Sequence, residues 1–222
     1  MFLTGILTIS LNVKYGIIYN MANGELVAHL HPVSQAYWVG HHLEYLRYKY
    51  KLMPHDLVLD VGAYNGDFAE EIHNQHGCQV ICVEPTDSIF RLQHKDWCRI
   101  INKAAGTEDG TVRMGGLFYY TGMFETSDEW GFKEFPTFDI NTLLTQEIAL
   151  AKLNVEGAEY QLMPHILESG LQMNVKNFQI QFHLLTPESE KEYCIIKKKL
   201  SETHQIEWRS PYCWESWYRT TI

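Results

Sequence analysis

Basic residues are scarce in this chain, and paired cysteines are missing. Lys and Arg number 18 against 27 Asp and Glu, a net charge of −9 over 222 residues. Nucleic acids and anionic membranes recruit clustered Lys and Arg, so neither is expected as a partner. The one basic cluster, Lys197-Lys198-Lys199, falls on an expected helix and reads as a solvated face. The five cysteines, at 78, 82, 98, 194 and 213, are odd in number and form no C-x-x-C. A reducing, cytoplasmic compartment fits that usage. The apolar start, MFLTGILTISLNV, lacks a basic n-region and a small-residue cleavage site, and is too short to span a bilayer. It reads as a strand. No internal repeat or low-complexity tract breaks the chain.

An apolar content of 45% suits one α/β domain with a real core. Residues 1–55 read as an N-terminal cap, with a β-hairpin over 6–31 and a helix over 33–51. They are expected to lie over the cofactor side. Residues 56–222 read as the core. Strands are expected at 57–61, 79–83, 99–103, 150–155 and 177–182, alternating with helices at 66–76, 87–97, 140–146, 158–169 and 187–202. That alternation argues a parallel sheet with helices on both faces. Residues 111–120 read as an extra β segment and 116–136 as a long aromatic loop. Pro164 should kink its helix or mark its true start. The end reads as two strands joined by a turn at Ser210-Pro211.

The most informative stretch is VLDVGAYNG, Val58 to Gly66. An apolar strand runs into Asp60 and a turn with glycine at 62 and 66, then a helix. Eighteen residues past Gly66, the strand QVICV ends in Glu84-Pro85. Such a unit binds nucleotides: glycines admit close backbone approach, and the acid accepts hydrogen bonds from ribose hydroxyls. The dinucleotide pattern G-x-G-x-x-G is absent; the chain has D-x-G-x-x-x-G. A carboxylate at Asp60 disfavours a pyrophosphate and suits a ligand with an ammonium group. S-adenosylmethionine fits that description.

Two further segments, LAKLNVEGAEY (150–160) and NFQIQFH (177–183), extend the pattern. With VLDVGAYNG and VEP they make residues 57–183 resemble the FkbM family of S-adenosylmethionine-dependent methyltransferases. The chain departs from that family twice. Asn154 replaces the Asp of K-I-D-V-E-G, and Gln181 replaces the Glu of E-I-H. The resemblance implies a Rossmann-like class I methyltransferase fold: a mostly parallel seven-stranded sheet with an antiparallel C-terminal strand. It also implies an O-methyltransferase acting on a sugar, glycan or glycoside hydroxyl, or on another small metabolite. A non-catalytic cofactor-binding protein is the competing class, kept open by Asn154 and Gln181.

In this architecture ligands bind outside the carboxyl ends of the strands. The expected cofactor residues are Asp60, Gly62, Ala63, Asn65, Gly66, Glu84, Pro85, Asn102, Lys103 and Asn154. Asp60 would meet the methionine amino group with the Gly62-Ala63 backbone. Glu84 would hold the ribose, and Asn102 and Lys103 the adenine. Glu156 and His183 are the candidate general bases, and Asn154 would touch the methionine portion or the acceptor. Glu159 reads as a surface or capping residue. A divalent metal is disfavoured, because Asn154 and Gln181 remove two charges that a hard cation prefers. The pair His29-x-His31, in an expected strand, is a weak metal candidate, whereas His41-His42, on an expected helix, points two ways. Trp130, in the aromatic loop, is the candidate for stacking on a sugar face, whereas Trp208, Trp214 and Trp217 read as core. No N-P-P-Y or D-P-P-Y occurs, which disfavours amino-group methylation. Oligomeric state is left open.

Overall fold

Runs such as LVLDV, QVICV, LAKL and NFQI are apolar almost throughout, the pattern of parallel strands buried on both faces. The computed structural model describes residues 20–22, 25–27, 41–115, 132–184 and 188–220. Those four runs become β3 (Leu57–Val61), β4 (Gln79–Val83), β9 (Leu150–Leu153) and β10 (Asn177–Ile180). They form a seven-stranded sheet with β5 (Cys98–Ile101), β11 (His204–Ser210) and β12 (Trp214–Arg219), in the order β11-β12-β10-β9-β3-β4-β5. Every pairing from β10 through to β5 is parallel. The strand β12 runs antiparallel to both β10 and β11.

Three helices connect the strands: α1 (Asp67–His76), α2 (Glu159–Ser169) and α3 (Ser189–Leu200). Gly77, at φ 72°, ends α1 with its N–H on the His73 carbonyl, and Gly170, at φ 77°, follows α2. One face of the sheet buries Leu59, Val61, Ile81, Leu153, Phe178 and Ile180 with α2 residues Leu162, Met163 and Ile166. The other face buries Val58, Val80, Cys82 and Leu150 with Phe68, Ala69 and Ile72 of α1.

A polar row crosses this second face. Cys82, Asp60, Lys152, Gln179 and Ser216 are neighbours in register from β4 to β12. The segment before β3 covers its far end. Gln179 Nε2 donates to the Arg47 carbonyl (2.8 Å), and Tyr50 Oη donates to Ser216 Oγ (3.1 Å). Arg47 also stacks 4.0 Å over the Trp214 ring. Arg47 and Tyr50, of the expected N-terminal cap, therefore pack on the sheet's α1 face.

Several expected elements differ in extent. The expected hairpin is present as β1 (Asn20–Ala22) and β2 (Glu25–Val27), paired antiparallel. Of the helix expected over 33–51, residues 33–40 lie outside the described residues; a 3-10 run, Leu43–Tyr48, follows. The helices expected at 87–97 and 140–146 are short 3-10 turns, Asp87–Leu92 and Ile140–Leu143. The helix α2 runs through Pro164 and starts at Glu159. The aromatic loop is overturned where it is described. Residues 132–136 belong to β8 (Phe132–Asp139), the central strand of a small sheet with β6 (Ala104–Gly106) and β7 (Gly110–Gly115). Phe135 and Phe138 anchor that sheet by burial. Trp130, His29 and His31 lie outside the described residues. Trp214 and Trp217 are buried, as expected of core.

Among the described residues, no helix is long and apolar enough to cross a membrane. All five cysteines are free.

Candidate functional site

The parallel strands β3, β4 and β9 end side by side, and the turns that leave them enclose a cleft. Gly62 and Tyr64 follow β3; Glu84, Pro85 and Thr86 follow β4; Asn154 and Glu156 follow β9. The small sheet supplies an apolar wall of Ala104, Ala105, Val112 and Met114. Among the described residues, none that lines the cleft is Lys or Arg.

Gly62 is required by packing. At φ 74°, a Cβ would stand 1.7 Å from the Asn154 carbonyl oxygen. Gly66, at φ 80°, would place a Cβ 2.2 Å from Leu92 Cδ1. The glycines thus let the turns of neighbouring strands touch, a different reason from ligand approach.

Glu84 is buried at the cleft wall. Its Oε1 accepts from Thr86 N (2.9 Å) and Thr86 Oγ1 (2.7 Å), and its Oε2 from Tyr64 N (2.8 Å). Oε2 keeps lone-pair capacity for a further donor. Asn154 supplies an acceptor of another kind. Its Oδ1 is buried without a hydrogen-bond partner, and buried polar atoms in that state call for an explanation.

Other expected cofactor residues are placed differently. Asp60 is fully buried beneath the turn. Lys152 Nζ lies 2.8 Å from its Oδ1 and donates to the Gly62 carbonyl (2.7 Å). Asp60 is therefore neutralised from within, so the expectation that it meets the cofactor amino group is corrected. Asn102 turns away from the cleft; its Nδ2 donates to the carbonyls of Glu84, Pro85 and Thr86. It braces the turn that carries Glu84. Lys103 is exposed and does not line the cleft. Ala63 is buried against the α1 side. Asn65 exchanges side-chain hydrogen bonds with Asp67 at the start of α1.

From the cleft wall inward runs a chain of three ionisable groups, Glu156, His183 and Glu159. His183 is 4% exposed. Its Nδ1 lies 3.0 Å from Glu159 Oε1, and its Nε2 lies 3.2 Å from Glu156 Oε2. Burial alone would depress the imidazole pKa. The Glu159 charge and the ring's hydrogen bonds to both carboxylates overcome it and push the pKa up to about 10. An imidazolium has no lone pair to take a proton, so His183 as general base is corrected. Glu159 is also corrected from a surface position: it is fully buried, and accepts from Gly157 N (2.8 Å) and His183 N (2.6 Å). Gln181, at the family's acidic position, is buried and outside the cleft lining. Among the described residues, no group of three or more His, Cys, Asp or Glu side chains is arranged to hold a metal.

Sequence reasoning missed Tyr64, Thr86, Lys152 and the apolar wall. Val112 and Met114 carried a usable signal, since TVRM alternates apolar and polar at a strand's period of two. Lys152 carried none, because a Lys inside an apolar strand shows no partner in sequence.

The strand order, the single antiparallel β12 and a cleft at the strands' carboxyl ends define a Rossmann-like class I methyltransferase fold. The sequence matches no protein-family model and no curated protein. Solved structures do match. Methyltransferase FkbM from Methylobacillus flagellatus KT is 13% identical over 78% of this chain, with TM-score 0.48. The match covers 45% of that chain, so the present chain spans under half its length. A Clostridium thermocellum protein named "putative rRNA-methylase" is 8% identical, covering 82% of this chain and 96% of that one, with TM-score 0.52. The 23S rRNA methyltransferase ErmE is 10% identical, covering 82% and 68%, with TM-score 0.45. Of the three, the Clostridium protein has a TM-score above 0.5, and at its identity that likeness shows the fold alone. The exclusion of nucleic acid from charge is overturned. The Clostridium protein carries this fold under an rRNA-methylase name, and a whole-chain charge does not decide what one cleft accepts.

Proposed function

We propose that this chain binds S-adenosylmethionine in the cleft and transfers its methyl group to a hydroxyl of a sugar-like small molecule. One observation carries the reading: Glu84 and Asn154, at neighbouring strand ends, line a single cleft beside an apolar wall. Glu84 Oε2 suits a ribose hydroxyl, Asn154 Oδ1 an ammonium, and Val112 with Met114 the adenine face. When bound, S-adenosylmethionine supplies an electrophilic methyl carbon on a sulfonium, so transfer needs chiefly an acceptor held close and in line. Glu156, at the cleft and 34% exposed in its side chain, suits a hydroxyl acceptor because it offers a carboxylate to an O–H. The motif resemblance supports the same chemistry.

The test is calorimetric titration with S-adenosylmethionine, followed by labelled-methyl transfer to a panel of free sugars, glycosides, small phenols and RNA oligonucleotides. Binding with transfer to a sugar hydroxyl is expected. Transfer to RNA alone would replace the acceptor class, and absence of binding would overturn the reading.

A further inference from the structure

The three ionisable groups that run inward from the cleft come from separate places. Glu156 sits in the turn after β9 at φ 48°, a left-handed conformation. Glu159 opens α2, and His183 follows the end of β10. A neutral imidazole has one N–H and one lone pair. Here both ring nitrogens face carboxylate oxygens, at 3.0 and 3.2 Å. A lone pair aimed at an anionic oxygen repels it, so both nitrogens must donate. Glu159 is satisfied as an anion by the N–H groups of Gly157 and His183. Tyr160, the other titratable group of this helix turn, gives its hydroxyl hydrogen to the His183 carbonyl and leaves the ring alone. Two carboxylates and one imidazolium leave one net negative charge. Of the two carboxylates, only Glu156 lines the cleft.

We infer that Glu159, His183 and Glu156 act as one unit, in which a cationic His183 anchored by buried Glu159 holds Glu156 at the cleft as the ionised carboxylate that takes the acceptor's proton. This rests on the methyl-transfer reading above. The acceptor oxygen forms its bond to the methyl carbon, the C–S bonding pair stays with sulfur, and the hydroxyl proton passes to a Glu156 oxygen. Glu156 is the catalytic residue. His183 is a positioning residue, since it touches Glu156 and lies outside the cleft lining.

The charge states can be read on the full chain without any ligand. Long-range proton–nitrogen correlation, with His183 assigned through its backbone, should show both ring nitrogens protonated at pH 7. They should stay so to above about pH 8.5, roughly two units beyond a free imidazole. A midpoint between about pH 6 and 7 would overturn the inference. In Glu159→Gln the midpoint should fall by about one unit or more, a tenfold loss of proton affinity; an unmoved midpoint contradicts the anchor. Carbon-13 spectra of labelled glutamate should show Glu156 ionised at pH 7, with its midpoint rising in His183→Gln. A protonated Glu156 at pH 7, or an unmoved midpoint, sinks the proposal. Should a variant fail to fold, the wild-type titration still decides. Calorimetry with S-adenosylmethionine on the same sample judges the methyl-transfer reading separately.

Discussion

Gly62 and Asn154 meet where β3 and β9 release their turns, and that meeting fixes the cleft. A side chain at Gly62 would collide with a backbone oxygen at 1.7 Å, and its φ of 74° already disfavours an L residue. Gly62→Ala is therefore expected to cost more than about 4 kcal/mol, at the far end of single substitutions. Urea unfolding measures it; an unchanged midpoint would contradict the close approach. The glycine was legible in sequence, but its reason was not. Nothing in D-x-G-x-x-x-G shows that the neighbour is the carbonyl of residue 154. Glu84 was legible as an acid at a strand end, and it lines the cleft. The pairing of Asp60 was not legible, because its partner Lys152 is ninety-two positions away and becomes adjacent only through the β3–β9 register.

Strand β9 carries that partner into the core. Lys152 and Asp60 are both almost wholly buried, and Lys152 also holds the Gly62 carbonyl. Removing one member leaves a charge buried and uncompensated. Lys152→Met is expected to destabilise by about 3–5 kcal/mol. The double variant Asp60→Val, Lys152→Met should recover a large part, since an apolar pair of similar volume is often tolerated there. A double-mutant cycle on unfolding free energies tests this; two independent, additive losses would show that the pair is not coupled. At this scale the core strands were legible, because parallel strands buried on both faces read as apolar runs. The strand β8 was hidden by Pro136 and by aromatics that resemble a loop. Its identity depends on pairing with β7, which local pattern does not encode. The short 3-10 turns at 87–92 and 140–143 have helix-like composition but too few residues for an α-helix.

Across the whole molecule, the buried His183 unit links folding to pH. Its folded pKa, about 10, lies above the ordinary 6.5. The contribution is therefore fully present below pH 6.5 and is lost as pH rises through 10. Urea midpoints should fall between about pH 7 and 9.5. The fall should be shallower in Glu159→Gln, and that difference separates His183 from the buried Cys78 and Cys213 thiols, which burial pushes up. Parallel curves for the two proteins would exclude a charged His183 from the native state. The class of fold was legible because three motifs fall at consecutive strand ends. The partner was misjudged because charge was averaged over all 222 residues, whereas a cleft acts through the few groups that line it.

The central claim is that this cleft is built for S-adenosylmethionine, and titration calorimetry of the intact protein against its Glu84→Ala variant tests it most directly. Loss of a charge-assisted acceptor at the ribose is worth about 1.5–3 kcal/mol, or roughly tenfold to a hundredfold in affinity. The account predicts measurable binding to the wild type and a loss of that size in the variant. Equal affinity in both proteins, or no binding to either, would contradict it.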